Sequence, residues 1–97
     1  MDERAESFVA ECFWPDVGEA DLAELDRRIE HAAAQAQSPR AVRYLGSLLL
    51  REDEVVLCQF RGAADAVREL ATRAQIPFER ILETTQSRWD SRGEERL

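Results

Sequence analysis

The segment Val42–Phe60, VRYLGSLLLREDEVVLCQF, constrains the fold most. Two runs rich in aliphatic and β-branched residues flank Glu52, Asp53 and Glu54. Runs of that composition bounded by a polar turn read as strands. The connection is too short for a crossover, so the strands must be antiparallel neighbours in a hairpin. The expected bounds are Arg40 to Arg51 and Glu54 to Arg61, with Gly62 ending the second strand.

The other elements arrange around this hairpin. Ser7 to Trp14 is a short aromatic and β-branched run that stops at Pro15, which cannot donate to a ladder. After the turn Asp16-Val17-Gly18, Leu22, Leu25, Ile29, Ala32, Ala33 and Ala36 recur at helical spacing. Glu19, Asp21 and Glu24 sit in the first turns, where the helix dipole favours negative charge. Ser38-Pro39 closes this helix, because a residue before proline avoids the helical region. Ala63, Ala66, Val67, Leu70 and Ala74 form a second stripe, with Asp65 in its first turn and Ile76-Pro77 as its stop. Phe78 to Gln86 alternates as a last strand centred on Ile81 and Leu82.

The order β-α-β-β-α-β, with right-handed crossovers, predicts the split βαβ of a ferredoxin-like α+β fold. Its sheet is four-stranded and antiparallel in the spatial order 4-1-3-2, with both helices on one face. The domain spans residues 7–86, between a flexible charged N-terminus, 1–6, and a polar C-terminal tail, 87–97. Trp89 is the one residue of the tail with reason to dock.

A sheet with helices on one face and water on the other alternates apolar and polar residues. This hairpin is apolar on both parities. Leu45 and Leu49 share one parity of the first strand, Leu48 and Leu50 the other. Val55 and Leu57 share one parity of the second strand, Val56 and Phe60 the other. The helices cover one face, so the open face calls for a second subunit packed sheet to sheet. The expectation is a homodimer, a dimeric α/β barrel type of assembly. A chain of 97 residues is one domain and gains from such a partner, since small domains bury a modest share of their surface.

Composition narrows the function classes. The net charge of −7 disfavours a nucleic-acid partner. Every basic residue is Arg, which removes Schiff-base lysine chemistry and the P-loop lysine. No apolar run approaches the ~20 residues of a membrane helix. The start MDERAES lacks the apolar core of a secretory signal, so the expected location is cytoplasmic.

Few residues offer chemistry. Cys12 and Cys58 have no CxxC spacing but fall on neighbouring strands. They read as buried thiols or, alternatively, as a redox pair or two-thiolate metal site, which would need a base or positive field that nothing local supplies. His31, the single histidine, falls opposite the apolar stripe of its helix and reads as exposed. Glu11, Gln59 and Glu83 are polar positions within strands that can converge as acid–base or ligand-holding groups. They can equally be satisfied by Arg43, Arg51 or Arg80. Tyr44, Phe13 and Trp14 cluster near strand ends and can line an apolar pocket or simply pack. Glu11, Trp14, Tyr44 and Gln59 are therefore the ligand-pocket candidates, and no residue reads as catalytic. The Glu52-Asp53-Glu54 tip is a solvated turn that guards against edge association.

An ordered set of short motifs carries a resemblance. It comprises Trp14-Pro15, Tyr44-Leu45-Gly46-Ser47, the acidic turn, Glu54-Val55-Val56-Leu57-Cys58, Ala66-Val67-Arg68-Glu69 and Ile76-Pro77-Phe78-Glu79-Arg80-Ile81. From Phe8 to Thr85 the chain resembles a family of short bacterial proteins of unknown function that includes a nickel-binding protein. The resemblance implies a dimeric ferredoxin-like fold. It also implies nickel as the one cofactor to consider, with Cys58 as the one matching ligand candidate. The histidines that family members carry in the stretch Leu70-Ala71-Thr72 and near Gly46 are absent here. The implied function is a small dimeric binding protein without the family's metal site. Two alternatives stand beside it: nickel binding, and a cofactor-free monooxygenase or isomerase acting on a small hydrophobic or polyketide-like substrate. The second rests on analogy with other dimeric ferredoxin-like proteins.

Overall fold

Residues 6–36 and 41–85 are described by the structure, a computed structural model. They form β1 (Ser7–Phe13), α1 (Glu19–Ala34), β2 (Val42–Leu50), β3 (Val55–Gly62), α2 (Ala64–Arg73) and β4 (Arg80–Thr84). The sheet order is β2-β3-β1-β4 with every neighbouring pair antiparallel, the expected ferredoxin-like α+β topology. Expectations placed on residues 1–5, on Ser38-Pro39, on Gln86 and on the tail with Trp89 lie outside the described residues.

Local chemistry explains the element ends. At the start of α1 the Asp21 carboxylate turns back to accept the Gly18 N–H at 2.8 Å, while Glu19 and Asp21 meet the positive end of the dipole. At the end of α2, Gln75 adopts φ 59 and its N–H reaches the Thr72 carbonyl, a left-handed stop before Ile76-Pro77. Arg28 of α1 donates to the carbonyls of Ala74 and Gln75, at 2.9 and 3.2 Å. One helix thus caps the other with a cation at its negative end. β4 is shorter than the sequence suggests, but the Glu79 N–H still reaches the Glu11 carbonyl at 2.8 Å.

The core lies between the helices and one face of the sheet. Leu25, Ile29, Val56, Phe60 and Val67 are fully buried there with Cys12 and Cys58. The sheet contributes alternate residues: Phe8, Ala10 and Cys12 from β1, and Val56, Cys58 and Phe60 from β3.

β2 departs from simple alternation. Its register passes from Tyr44 opposite Phe60 to Gly46 opposite Gln59, which leaves Leu45 as an extra residue. This is a β-bulge, and Gly46 takes the φ of 119 that it needs. A bulge reverses parity. Tyr44, Ser47 and Leu49 therefore face the helices, opposite Phe60, Cys58 and Val56, while Leu48 and Leu50 lie on the open face opposite Leu57 and Val55. The expectation that Leu45 and Leu49 share a face is corrected by that one extra residue.

The hairpin tip is less free than its charge suggests. Glu54 adopts φ 57 to close the turn, and its carbonyl accepts the Trp14 N–H at 2.8 Å. Its carboxylate accepts the Asp16 N–H at 3.4 Å. Glu52 and Asp53 remain exposed. Among the described residues, no helix is long and apolar enough to cross a membrane.

Candidate functional site

Two places on the sheet combine unusual chemistry with defined geometry. The first lies under α1. Asp26 follows Leu22 by four residues, so it sits on the inward side of the helix. Its Oδ1 accepts hydrogen bonds from the Tyr44 hydroxyl at 2.5 Å and the Ser47 hydroxyl at 3.0 Å. The Tyr44 ring packs on Phe60 with centroids 5.3 Å apart, tilted by 45°. Cys58 sits opposite Ser47 on β2 and Ala10 on β1, and Cys12 opposite Val56, so both thiols share the helix-facing side. Both are free and buried.

The environment sets the proton affinities in this cluster. Burial, then the hydrogen bond to Asp26, push the Tyr44 phenol far above its ordinary value. The hydrogen bond with Cys12, then burial, push the Cys58 thiol up, while the hydrogen bond from Cys58 holds Cys12 below the usual thiol range. The pair is diagonal across two antiparallel strands, a position whose Cα atoms are typically ~7–8 Å apart. A disulfide spans ~4.4–6.8 Å, so this geometry favours two thiols over a bridge. The cluster is a satisfied polar network inside the core. Among the described residues, no buried side-chain polar atom lacks a partner, and no three His, Cys, Asp or Glu converge to hold a metal ion.

The second place is the open face. Successive rows across it are Leu50, Val55 and Phe13; then Leu48, Leu57, Glu11 and Arg80; then Gly46, Gln59, Val9 and Leu82; then Arg43, Arg61, Ser7 and Thr84. Phe13, Leu48 and Leu50 are 54%, 50% and 42% exposed, and Leu45 at the bulge is 48% exposed. These are large side chains left in water on a sheet whose other face is a closed core. Glu11 and Arg80 form an ion pair at 2.5 Å, and this pair holds the Arg80 guanidinium above its ordinary value.

The candidates from the sequence divide between these places. Glu11 and Gln59 do share a face, the open one, and Glu11 finds Arg80 there. Glu83 does not join them: it pairs with Phe8 and is exposed on the edge strand's other side. Tyr44 and Trp14 lie on the helix side, Trp14 against the core and Tyr44 on Phe60 and Asp26. Phe13 faces away from both, so the expected aromatic cluster is absent, as strand alternation requires. No pocket gathers Glu11, Trp14, Tyr44 and Gln59, because the sheet separates the first and last from the other two. One cleft lies elsewhere, lined by Ala36, Ala41, Val42, Ala66, Leu70 and others, and a shallow depression of ≈ 280 Å³ lies on the outside of α1 at Glu24, Arg27, Arg28 and His31. At ≈ 120 Å³ the first falls short of the ~300 Å³ of a typical small-molecule site. His31 is exposed on α1, as its position opposite the stripe implies.

Asp26 and Ser47 carry most of the polar geometry, and neither stood out in the sequence. One signal was there: Asp26 occupies a stripe position between Leu22 and Ile29, where an acid has to find a partner.

Comparison with known proteins adds the fold alone. No family model matches this chain, and no curated protein matches it. Among solved structures it is similar to a protein of Streptomyces coelicolor A3(2), with a TM-score of 0.68 at 15% identity. The likeness covers 84% of this chain and 99% of that one. It agrees with the ferredoxin-like topology described above.

Proposed function

We propose that this chain is a small interaction protein that works as a homodimer, with the open face of its sheet as the working surface. One observation carries the reading. Phe13, Leu45, Leu48 and Leu50 are exposed around the half-buried Val55 and Leu57, opposite a face that is already a core. Monomeric proteins seldom leave so contiguous an apolar patch in water.

The energetics are of the right size. Burying a half-exposed Leu or Phe contributes about 1 kcal/mol, half the ~1.5–3 kcal/mol of full burial. Four such residues on each of two copies contribute about 8 kcal/mol before the cost of association. Association costs ~4 kcal/mol or more, so these residues supply a large part of the driving force of a reversible dimer and the remaining apolar rows of the face supply the rest.

Nothing comparable supports the other readings. A cofactor-free monooxygenase or isomerase needs a cavity between helices and sheet, and that space holds the Tyr44–Asp26 network. Nickel binding needs several converging N or S ligands, and Cys58 has Cys12 for company. Sedimentation velocity tests the proposal. Wild-type chain is expected to sediment as a dimer at tens of micromolar, and Leu48→Asp, central in the patch, as a folded monomer. A wild-type monomer at every concentration up to millimolar refutes it.

A further inference from the structure

The charge pattern of the same face specifies how the second copy docks, an inference that rests on the dimer reading above. At one end of the β2–β3 hairpin Arg43 lies directly opposite Arg61, both exposed on the open side. Like charges directly opposite across strands repel. No ion pair relieves either guanidinium among the described residues; the β1–β3 pairing brings Glu6 near, but it is its carbonyl that meets Gly62. At the other end Glu52 and Asp53 are exposed at the tip, beside Asp16 and Glu54. Arg51 also lies there but pairs with Glu19 at 3.3 Å. The apolar rows lie between these ends.

Two sheets stacked face to face with their strands aligned can be related by a two-fold axis between them in one of two ways. An axis along the strands stacks equal ends: four arginines meet at one end and the acidic tips at the other. An axis across the strands reverses the partner's hairpin and stacks the arginines of each copy on the other copy's tip. We propose that the second copy docks in this reversed orientation, with Arg43 and Arg61 of each subunit against Glu52 and Asp53 of the other.

The spacing fits. Leu57 lies four residues from Arg61, about 13 Å along β3 at ~3.3 Å per residue, and four residues from Asp53 in the turn that precedes Val55. Leu57 pairs with Leu48, so the axis crosses the middle of the apolar patch. Each leucine then meets its own copy across the axis, and both charged ends meet opposites. The same row carries the Glu11–Arg80 pair. Each such pair is neutral within its own sheet, so the row adds no net charge at the axis.

The decisive variant is Glu52→Gln with Asp53→Asn. The chain carries a net charge of −7, so removing two negative charges relieves repulsion between copies. Long-range charge alone, or an axis along the strands, therefore tightens the dimer. The reversed orientation predicts the opposite, a dissociation constant raised about tenfold. That is what four rim ion pairs supply when each contributes a few tenths of a kcal/mol. Arg43→Gln with Arg61→Gln is expected to weaken the dimer similarly. The four changes together should weaken it no further, because both pairs of changes remove one set of contacts. Sedimentation equilibrium of the wild-type and variant chains at low salt reads all four constants. Tightening, no change, or simple additivity overturns the orientation while the dimer stands. A monomeric wild type overturns the dimer reading beneath it.

Discussion

Tyr44 is the single tyrosine of the chain, which makes its environment directly measurable. In the folded protein, burial and the hydrogen bond to Asp26 keep the phenol protonated far above the ordinary value. In the unfolded chain it titrates near ~10. The folded pKa is the higher one, so this contribution to stability is intact below the unfolded value and is lost as pH rises beyond it. Each pH unit above ~10 then costs about 1.4 kcal/mol of folding free energy from this group alone. A domain of this size has ~5–15 kcal/mol in total, so two units are a substantial fraction. Tyrosinate absorbance at 295 nm and helical circular dichroism, followed together through an alkaline titration, are expected to change in one cooperative step above pH 10. In denaturant the same absorbance should rise near 10. Tyr44→Phe supplies the control. It should lose roughly 1.5–3 kcal/mol at neutral pH, the worth of a hydrogen bond to a charged acceptor. Its deficit should then shrink above pH 10, where the wild type loses stability and the variant has no phenol to ionise. Reversible tyrosinate formation near 10 with the helical signal unchanged would refute the buried Tyr44–Asp26 bond.

Two further outcomes follow from the same core. Cys12 and Cys58 are buried and diagonal, so a thiol-disulfide reagent is expected to react with neither in the native chain within minutes and with both in denaturant; two rapidly reactive native thiols would place them at the surface. At Gly62, with φ 152, an added Cβ would lie 2.3 Å from the Ala41 carbonyl oxygen, so Gly62→Ala should cost roughly 2–3 kcal/mol in urea unfolding. At Gly46 an added Cβ meets nothing within 4 Å, so Gly46→Ala should pay only for its backbone and lose less; equal losses would show that steric overlap at Gly62 is relieved.

The topology was legible because its signals are long. Two helical stripes, a hairpin with a polar tip and prolines at element ends each extend over many residues and agree with one another. Which face each residue occupies was less legible. Facing is set by register, and a single extra residue at Leu45 inverts everything after it in β2. Gly46 was the visible trace of that bulge, but one glycine in a strand does not say which side gains the residue. The pocket of Glu11, Trp14, Tyr44 and Gln59 failed for the related reason that position along a strand was weighed without its parity. The thiols fared better, since strand order alone makes β1 and β3 neighbours.

The two places on the sheet are linked through the bulge. Tyr44 and Ser47 flank the extra residue on either side, and both donate to the same oxygen of Asp26. That oxygen clamps the bulge from above. Without the bulge, Leu48 and Leu50 would turn inward and Ser47 and Leu49 outward, so the clamp determines what the open face presents. The distribution of side-chain size points the same way. Ala10, Ala32, Ala71 and Ala74 are buried in the core, while Phe13, Leu45, Leu48 and Leu50 stand outside it. A monomer optimised alone would place its bulk the other way, because a buried Leu contributes several times what a buried methyl does. The polar cluster under α1, the part of the molecule most like a reaction site, is better explained as the device that sets which side chains the open face presents.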